Sequence, residues 1–105
     1  MADFSNKITL ITGGGCGLGR LMALKMATRG SHIVLWDIND QGLNLVAKEI
    51  ANNGNRVNTY LCDVSDREMV YSTAEKVREE VGKVDILINN AGVVSGRPFL
   101  ECTDD

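Results

Sequence analysis

The chain has 105 residues, of which 44% are hydrophobic and 24% charged, the balance of one small folded domain and not of a disordered tract. Its net charge of -3 and the lack of a basic patch argue against nucleic acid or an anionic membrane as partner. No apolar run reaches the ~18 residues of a spanning helix, and the start of the chain lacks the basic-then-apolar pattern of a secretory signal. Cys16, Cys62 and Cys102 are scattered and odd in number, which suits free thiols in a reducing, cytoplasmic compartment. There is no CxxC pair, and His32 is the only histidine, so no metal site is expected.

Strand and helix signals alternate along the chain. Lys7 to Thr12 (KITLIT) is short, β-branched and apolar, and stops at a glycine run. From Leu18 the apolar spacing turns helical, through Leu21, Met22 and Met26, with Gly30 as the stop. His32 to Trp36 (HIVLW) reads as a buried strand. A helix follows with Leu43, Val46, Ala47 and Ile50 on one face, closed by Asn52-Asn53-Gly54. Arg56 to Leu61 reads as the third strand. Ser65 and Glu68 form a capping-box pattern for a third helix that faces inward with Val70, Ala74, Val77 and Val81. Val84 to Ile88 is the fourth strand.

This order predicts an α/β fold: a doubly wound parallel sheet, a Rossmann-type half with strand order 3-2-1-4. The crossover rule places the first two helices on one face and the third on the other, which leaves the second face thinly covered near strands 1 and 4. Strand 4 is then a bare edge. Thr103-Asp104-Asp105 resembles a helix start with no helix after it, so the chain reads as truncated.

Five of the 11 glycines fall between Gly13 and Gly19, in TGGGCGLG, between the first strand and the first helix. Glycines there allow a tight turn and close approach of backbone to a ligand. The helix start beyond them offers free N–H groups to a pyrophosphate. Asp37 follows Gly19 by 18 residues at the end of the second strand, the place of a carboxylate that accepts ribose hydroxyls. Such a group would repel a 2′-phosphate, so Asp37 favours NAD over NADP; the other reading is a plain turn aspartate. Asp63, at the end of the third strand, either meets an adenine or opens the next helix. Asn90-Ala91-Gly92 either lines a cofactor or is a simple loop. Cys16 either gains thiolate character at the helix start or is only a small loop residue.

TGGGCGLG, Asp37, Asp63-Val64 and Asn89-Asn90-Ala91-Gly92, in this order and at strand ends, resemble the short-chain dehydrogenase/reductase family over essentially the whole chain. GLGRLMAL, VLWDIN and NNAGVVSGRPFLEC are similar to its retinol and 17β-hydroxysteroid dehydrogenase branch. The resemblance implies an NAD-binding segment whose cofactor contacts are Gly13, Gly15, Cys16, Gly17, Leu18, Gly19, Asp37, Ile38, Asp63, Val64, Asn90, Ala91 and Gly92. It also implies hydride transfer to or from a lipophilic alcohol or carbonyl, and a homo-oligomer. The family's Tyr and Lys in YxxxK spacing are not found here: Val64 stands four residues after Tyr60, and Glu75 four after Tyr71. No catalytic residue is therefore expected within these 105 residues. The alternative is a non-catalytic fragment that binds dinucleotide or a partner.

Overall fold

The computed structural model describes residues 3–15 and 17–90, and the backbone of 93–94 and 97–98. The strands β1 (Ile8–Thr12), β2 (His32–Asp37), β3 (Val57–Leu61) and β4 (Ile86–Asn89) alternate with the helices α1 (Gly17–Thr28), α2 (Asp40–Asn52) and α3 (Arg67–Glu80). The four strands form one sheet in the order β3-β2-β1-β4, and every pair is parallel. This is the expected doubly wound half. Two two-residue strands, β5 (Val93–Val94) and β6 (Arg97–Pro98), pair antiparallel beyond it; no element is predicted there from the sequence. The Thr103-Asp105 helix start lies outside the described residues.

Alternation along the strands sorts the core into two layers. Ile11, Ile33 and Leu35 point to one face and pack against Ala23 and Ala27 of α1 and Leu43, Val46 and Ile50 of α2. Leu10, Val34 and Trp36 point to the other and meet Val77 of α3 and Cys62. The helices thus divide between the faces as expected. Gly30, Gly54 and Gly82 all take positive φ after the helices.

Three local expectations need correction. The buried stripe of α1 is Gly19, Ala23 and Ala27, while Leu18 and Leu21 are exposed. Small residues at a four-residue spacing let the helix lie close to the sheet, and Met22 and Met26 only flank it. Asp66, not Ser65, caps α3: its carboxylate accepts from the Met69 N–H. Ser65 is taken instead by Asp63, whose Oδ1 accepts both its N–H (3.0 Å) and its hydroxyl (2.7 Å). Thr73 replaces Ala74 on the inner face of α3, hydrogen-bonded to Cys62.

Strand β4 pairs only with β1 among the described residues. Leu87 stands in register with Leu10, on the α3 face, and is 60% exposed. Ile88 turns the other way and packs against the α1–α2 layer. The two layers should therefore respond unequally. Ile11→Ala should cost about 2–5 kcal/mol, as for a filled core position, whereas Leu87→Gln should stay within about 0.5 kcal/mol; urea unfolding of both variants measures the contrast.

Arg20 of α1 and Glu49 of α2 form a two-pronged ion pair, Nε to Oε1 at 2.8 Å and Nη2 to Oε2 at 2.6 Å. The hydrogen bonds from Arg20 hold the Glu49 carboxyl below its ordinary 4.5. A lowered carboxylate stabilises the fold above the unfolded-state value, and that contribution fades as pH falls through the lower folded-state value. Both side chains are about 40% exposed, so the pair is worth at most ~1 kcal/mol. Glu49→Gln should show a small stability deficit at pH 7 that shrinks as the pH falls below 4.5, read by denaturant titration across acid pH.

Candidate functional site

The strand order reverses between β1 and β4, and the carboxyl ends of β1, β2 and β4 meet there. Open α/β sheets form their ligand crevice at such a point. The turn after β1 is held from two directions. From β2, the Trp36 carbonyl accepts from the N–H groups of Gly13 (2.7 Å) and Gly14 (3.2 Å). From β4, the Thr12 hydroxyl donates to Asn89 Oδ1 (2.9 Å) and accepts from the Asn90 N–H (3.0 Å). The Asn90 side-chain amide then donates to the Gly13 carbonyl at 3.2 Å.

The start of α1 lies against this turn because Gly19 has no side chain. A Cβ there would stand 2.0 Å from the Gly13 carbonyl oxygen and 2.8 Å from Asn90 Nδ2. The first-turn N–H groups of α1, which a helix cannot satisfy itself, are thereby brought to the crevice with the positive end of the helix dipole.

Asp37 closes the β2 side. Its Oδ2 accepts from the Gly15 N–H at 2.8 Å and its Oδ1 from the Asn39 N–H at 3.0 Å. The carboxylate is half-buried and fixed on the rim of the glycine turn. Leu18 and Ile38, at the same rim, are 52% and 62% exposed. Asp63 sits at the end of the edge strand β3, exposed. The Ser65 hydroxyl and N–H hold its carboxyl below the usual carboxylate range, and its own N–H donates to Met69 Sδ at 3.1 Å. Val64 is half-buried and packs against the α3 layer.

Gly13, Gly15, Gly19, Asp37 and Asn90 are therefore joined in one network, with Gly17, Leu18 and Ile38 at its edge and Asp63 and Val64 one strand farther out. Cys16, Ala91 and Gly92 lie outside the described residues. Thr12 and Asn89, which stand in the two quoted motifs without an assigned role, are parts of the network, as are Asn39 and Gly42, which the sequence reading does not single out. Asn39 and Gly42 do carry a signal, an N-cap residue three positions before the N–H it binds (3.0 Å). Among the described residues, no three His, Cys, Asp or Glu side chains are grouped to hold a metal.

Gly14, Gly15 and Gly19 are each closed in by the chain's own atoms, those of Leu35, Asp37 and Gly13, so the turn has no room for side chains, and the start of α1 beside it has the free N–H groups that suit an anion. A family profile described as short chain dehydrogenase matches residues 7–105, and the chain belongs to that family. Human epidermal retinol dehydrogenase 2 is 52% identical over 104 residues, covering 98% of this chain and 34% of that protein. The chain thus spans about a third of the length of the curated relatives it matches. Among solved structures, a 7α-hydroxysteroid dehydrogenase complexed with NADH and 7-oxo glycochenodeoxycholic acid superposes with a TM-score of 0.83 at 37% identity, covering 86% of this chain and 35% of that one. A metagenomic short-chain oxidoreductase in complex with NADP gives 0.81 at 27% identity, covering 89% and 42%.

The Gly19 contact has a direct test. Gly19→Ala must displace either α1 or the Gly13–Asn90 hydrogen bond. It should cost about 3 kcal/mol, the upper end of overpacking, against about 1 kcal/mol for Asn90→Ala, which removes one hydrogen bond. Denaturant midpoints of the two variants give the comparison.

Proposed function

We propose that the chain is the NAD-binding portion of an oxidoreductase of this family, moving hydride between NAD(H) and a lipophilic alcohol or carbonyl of the retinoid or steroid kind. NAD(H), when bound, supplies the hydride acceptor or donor. The glycine turn from Gly13 to Gly19 would receive the pyrophosphate on its backbone and on the start of α1. Asp37 would receive the adenosine ribose hydroxyls, Asp63 and Val64 the adenine, and Asn90 with Ala91 and Gly92 the inner ribose.

One observation carries the cofactor preference: the Asp37 carboxylate is anchored on the turn by Gly15 (2.8 Å). A 2′-phosphate brought to about 4 Å of it meets repulsion of several kcal/mol at an effective dielectric of ~20. Hydroxyls instead gain charge-assisted hydrogen bonds. The 52% identity to a retinol dehydrogenase supports the lipophilic substrate.

Neither Tyr60 nor Tyr71 has a lysine four residues on, so neither matches the family's acid–base pattern. The Tyr60 hydroxyl donates to Glu80 Oε1 at 2.7 Å, and burial together with that bond pushes it up to about 12. An acid–base tyrosine in this family requires the opposite shift. The 105-residue chain should bind NAD(H) at least about tenfold more tightly than NADP(H), and Asp37→Ala should narrow that gap. It should show no NAD-linked turnover of retinol. Calorimetric titration of both cofactors and a stopped assay for retinal decide the matter; tighter NADP(H) binding by the unmutated chain overturns the cofactor assignment.

A further inference from the structure

Helix α2 opens with Asp40, Gln41 and Gly42. Glycine is the poorest helix former after proline, yet Gly42 is buried. The reason lies opposite it. A Cβ on Gly42 would stand 2.5 Å from the Gly15 carbonyl oxygen and 3.1 Å from its carbon. The first turn of α2 therefore rests directly on the glycine turn.

This contact closes a ring of four residues. The Asn39 N–H donates to Asp37 Oδ1 at 3.0 Å. The Gly42 N–H donates to Asn39 Oδ1, also at 3.0 Å. Gly42 presses on the Gly15 peptide, and the Gly15 N–H donates to Asp37 Oδ2 at 2.8 Å. From the other side, a Cβ on Gly15 would meet Asp37 Oδ2 at 2.8 Å and the Gly42 carbonyl carbon at 3.2 Å. Neither glycine has room for a side chain.

We infer that Gly42 is a positioning residue for the dinucleotide site: its bare Cα lets α2 brace the Gly15 peptide so that Gly15 stays hydrogen-bonded to Asp37. The inference rests on the reading of Asp37 as the ribose acceptor. It goes beyond it, because Gly42 lies on a different element and need touch no ligand. The helix has little freedom to retreat from an added methyl group. Its cap is tied to Asp37, Leu43, Val46 and Ile50 are locked in the core, and Glu49 is clamped by Arg20. The softer partner is the turn. Gly42→Ala therefore moves Gly15, and the Asp37 carboxylate loses the N–H that orients it.

The test uses Gly42→Ala, the control Asn44→Ala on the exposed side of the same helix, and Asp37→Asn alone and combined with Gly42→Ala. Amide hydrogen exchange at Gly15 is followed by NMR without dinucleotide, and NAD+ and NADP+ affinities by titration. Gly42→Ala should speed Gly15 exchange at least about tenfold and weaken NAD+ about tenfold, as for one lost charge-assisted hydrogen bond. NADP+ should change less. Asn44→Ala should change neither. On the Asp37→Asn background, Gly42→Ala should add less than about twofold, since both act through one bond.

If Gly42 were only a weak helix residue, alanine would raise the melting temperature and leave Gly15 exchange and NAD+ affinity within about twofold of wild type; that result overturns the inference. A wild-type chain that binds neither dinucleotide overturns the functional reading, while Gly15 exchange still decides whether Gly42 holds the turn. Should Gly42→Ala not fold, Asn39→Gly serves in its place. It removes the Oδ1 that holds the Gly42 N–H and so loosens the first turn of α2 over Gly15, while the Asn39 backbone N–H can still donate to Asp37. It too should speed Gly15 exchange, and unchanged exchange would refute the brace.

Discussion

The carbonyl oxygen of Gly13 is the point on which the crevice turns. It accepts from the Asn90 amide at 3.2 Å, and it fills the space that any side chain at position 19 would take. Because Gly19 leaves that space open, α1 can begin immediately beside β1, and its unsatisfied N–H groups face the strand ends. Because Asn90 fixes the same oxygen, β4 is tied to the turn and not merely to its neighbouring strand. The dipole of α1, the position of the turn and the ladder of β4 all meet at one atom.

A second constraint is the unequal covering of the sheet. Among the described residues, the face under α1 and α2 holds a cluster of eight buried residues, from Ile11 to Ile50, and the face under α3 holds five and leaves Leu87 in the open. It also holds the Trp36 indole N–H, buried and with no hydrogen-bond partner among the described residues. The well-packed face lies under the Gly15–Asp37–Gly42 contacts, so this rim of the crevice is built on the firmer layer.

Much of this is legible in the sequence, for identifiable reasons. The four strands are short β-branched runs closed by Gly, Asp or Asn, and alternation with helices leaves few topologies. Asp37 and the glycine run stand out because their residue types are expensive anywhere else. The inner face of α1 is not legible, because hydropathy ranks Leu18 and Leu21 above Gly19, Ala23 and Ala27, whereas close packing selects the small residues. The Asp66 cap is missed because Ser65 satisfies the same local pattern, and only the geometry shows Asp63 taking the serine. Asn39 and Gly42 carry a spacing signal, but their contact with Gly15 joins distant parts of the chain and no local pattern reports it.

The hydrogen bonds around the crevice differ widely in how far they reach along the chain. Gly15 and Asp37 are separated by 22 residues, so the β1–α1–β2 unit that holds them can come together over a short loop. Thr12 reaches Asn89 and Asn90 across 77 and 78 residues. Longer closures carry a larger entropic penalty, and non-local pairing slows folding. On a ribosome, where segments emerge from the amino end at about 5–20 residues per second, the carboxylate side of the crevice can be complete while β4 is still unmade. The Asp37 side of the crevice can thus form in a first instalment, ahead of its β4 side.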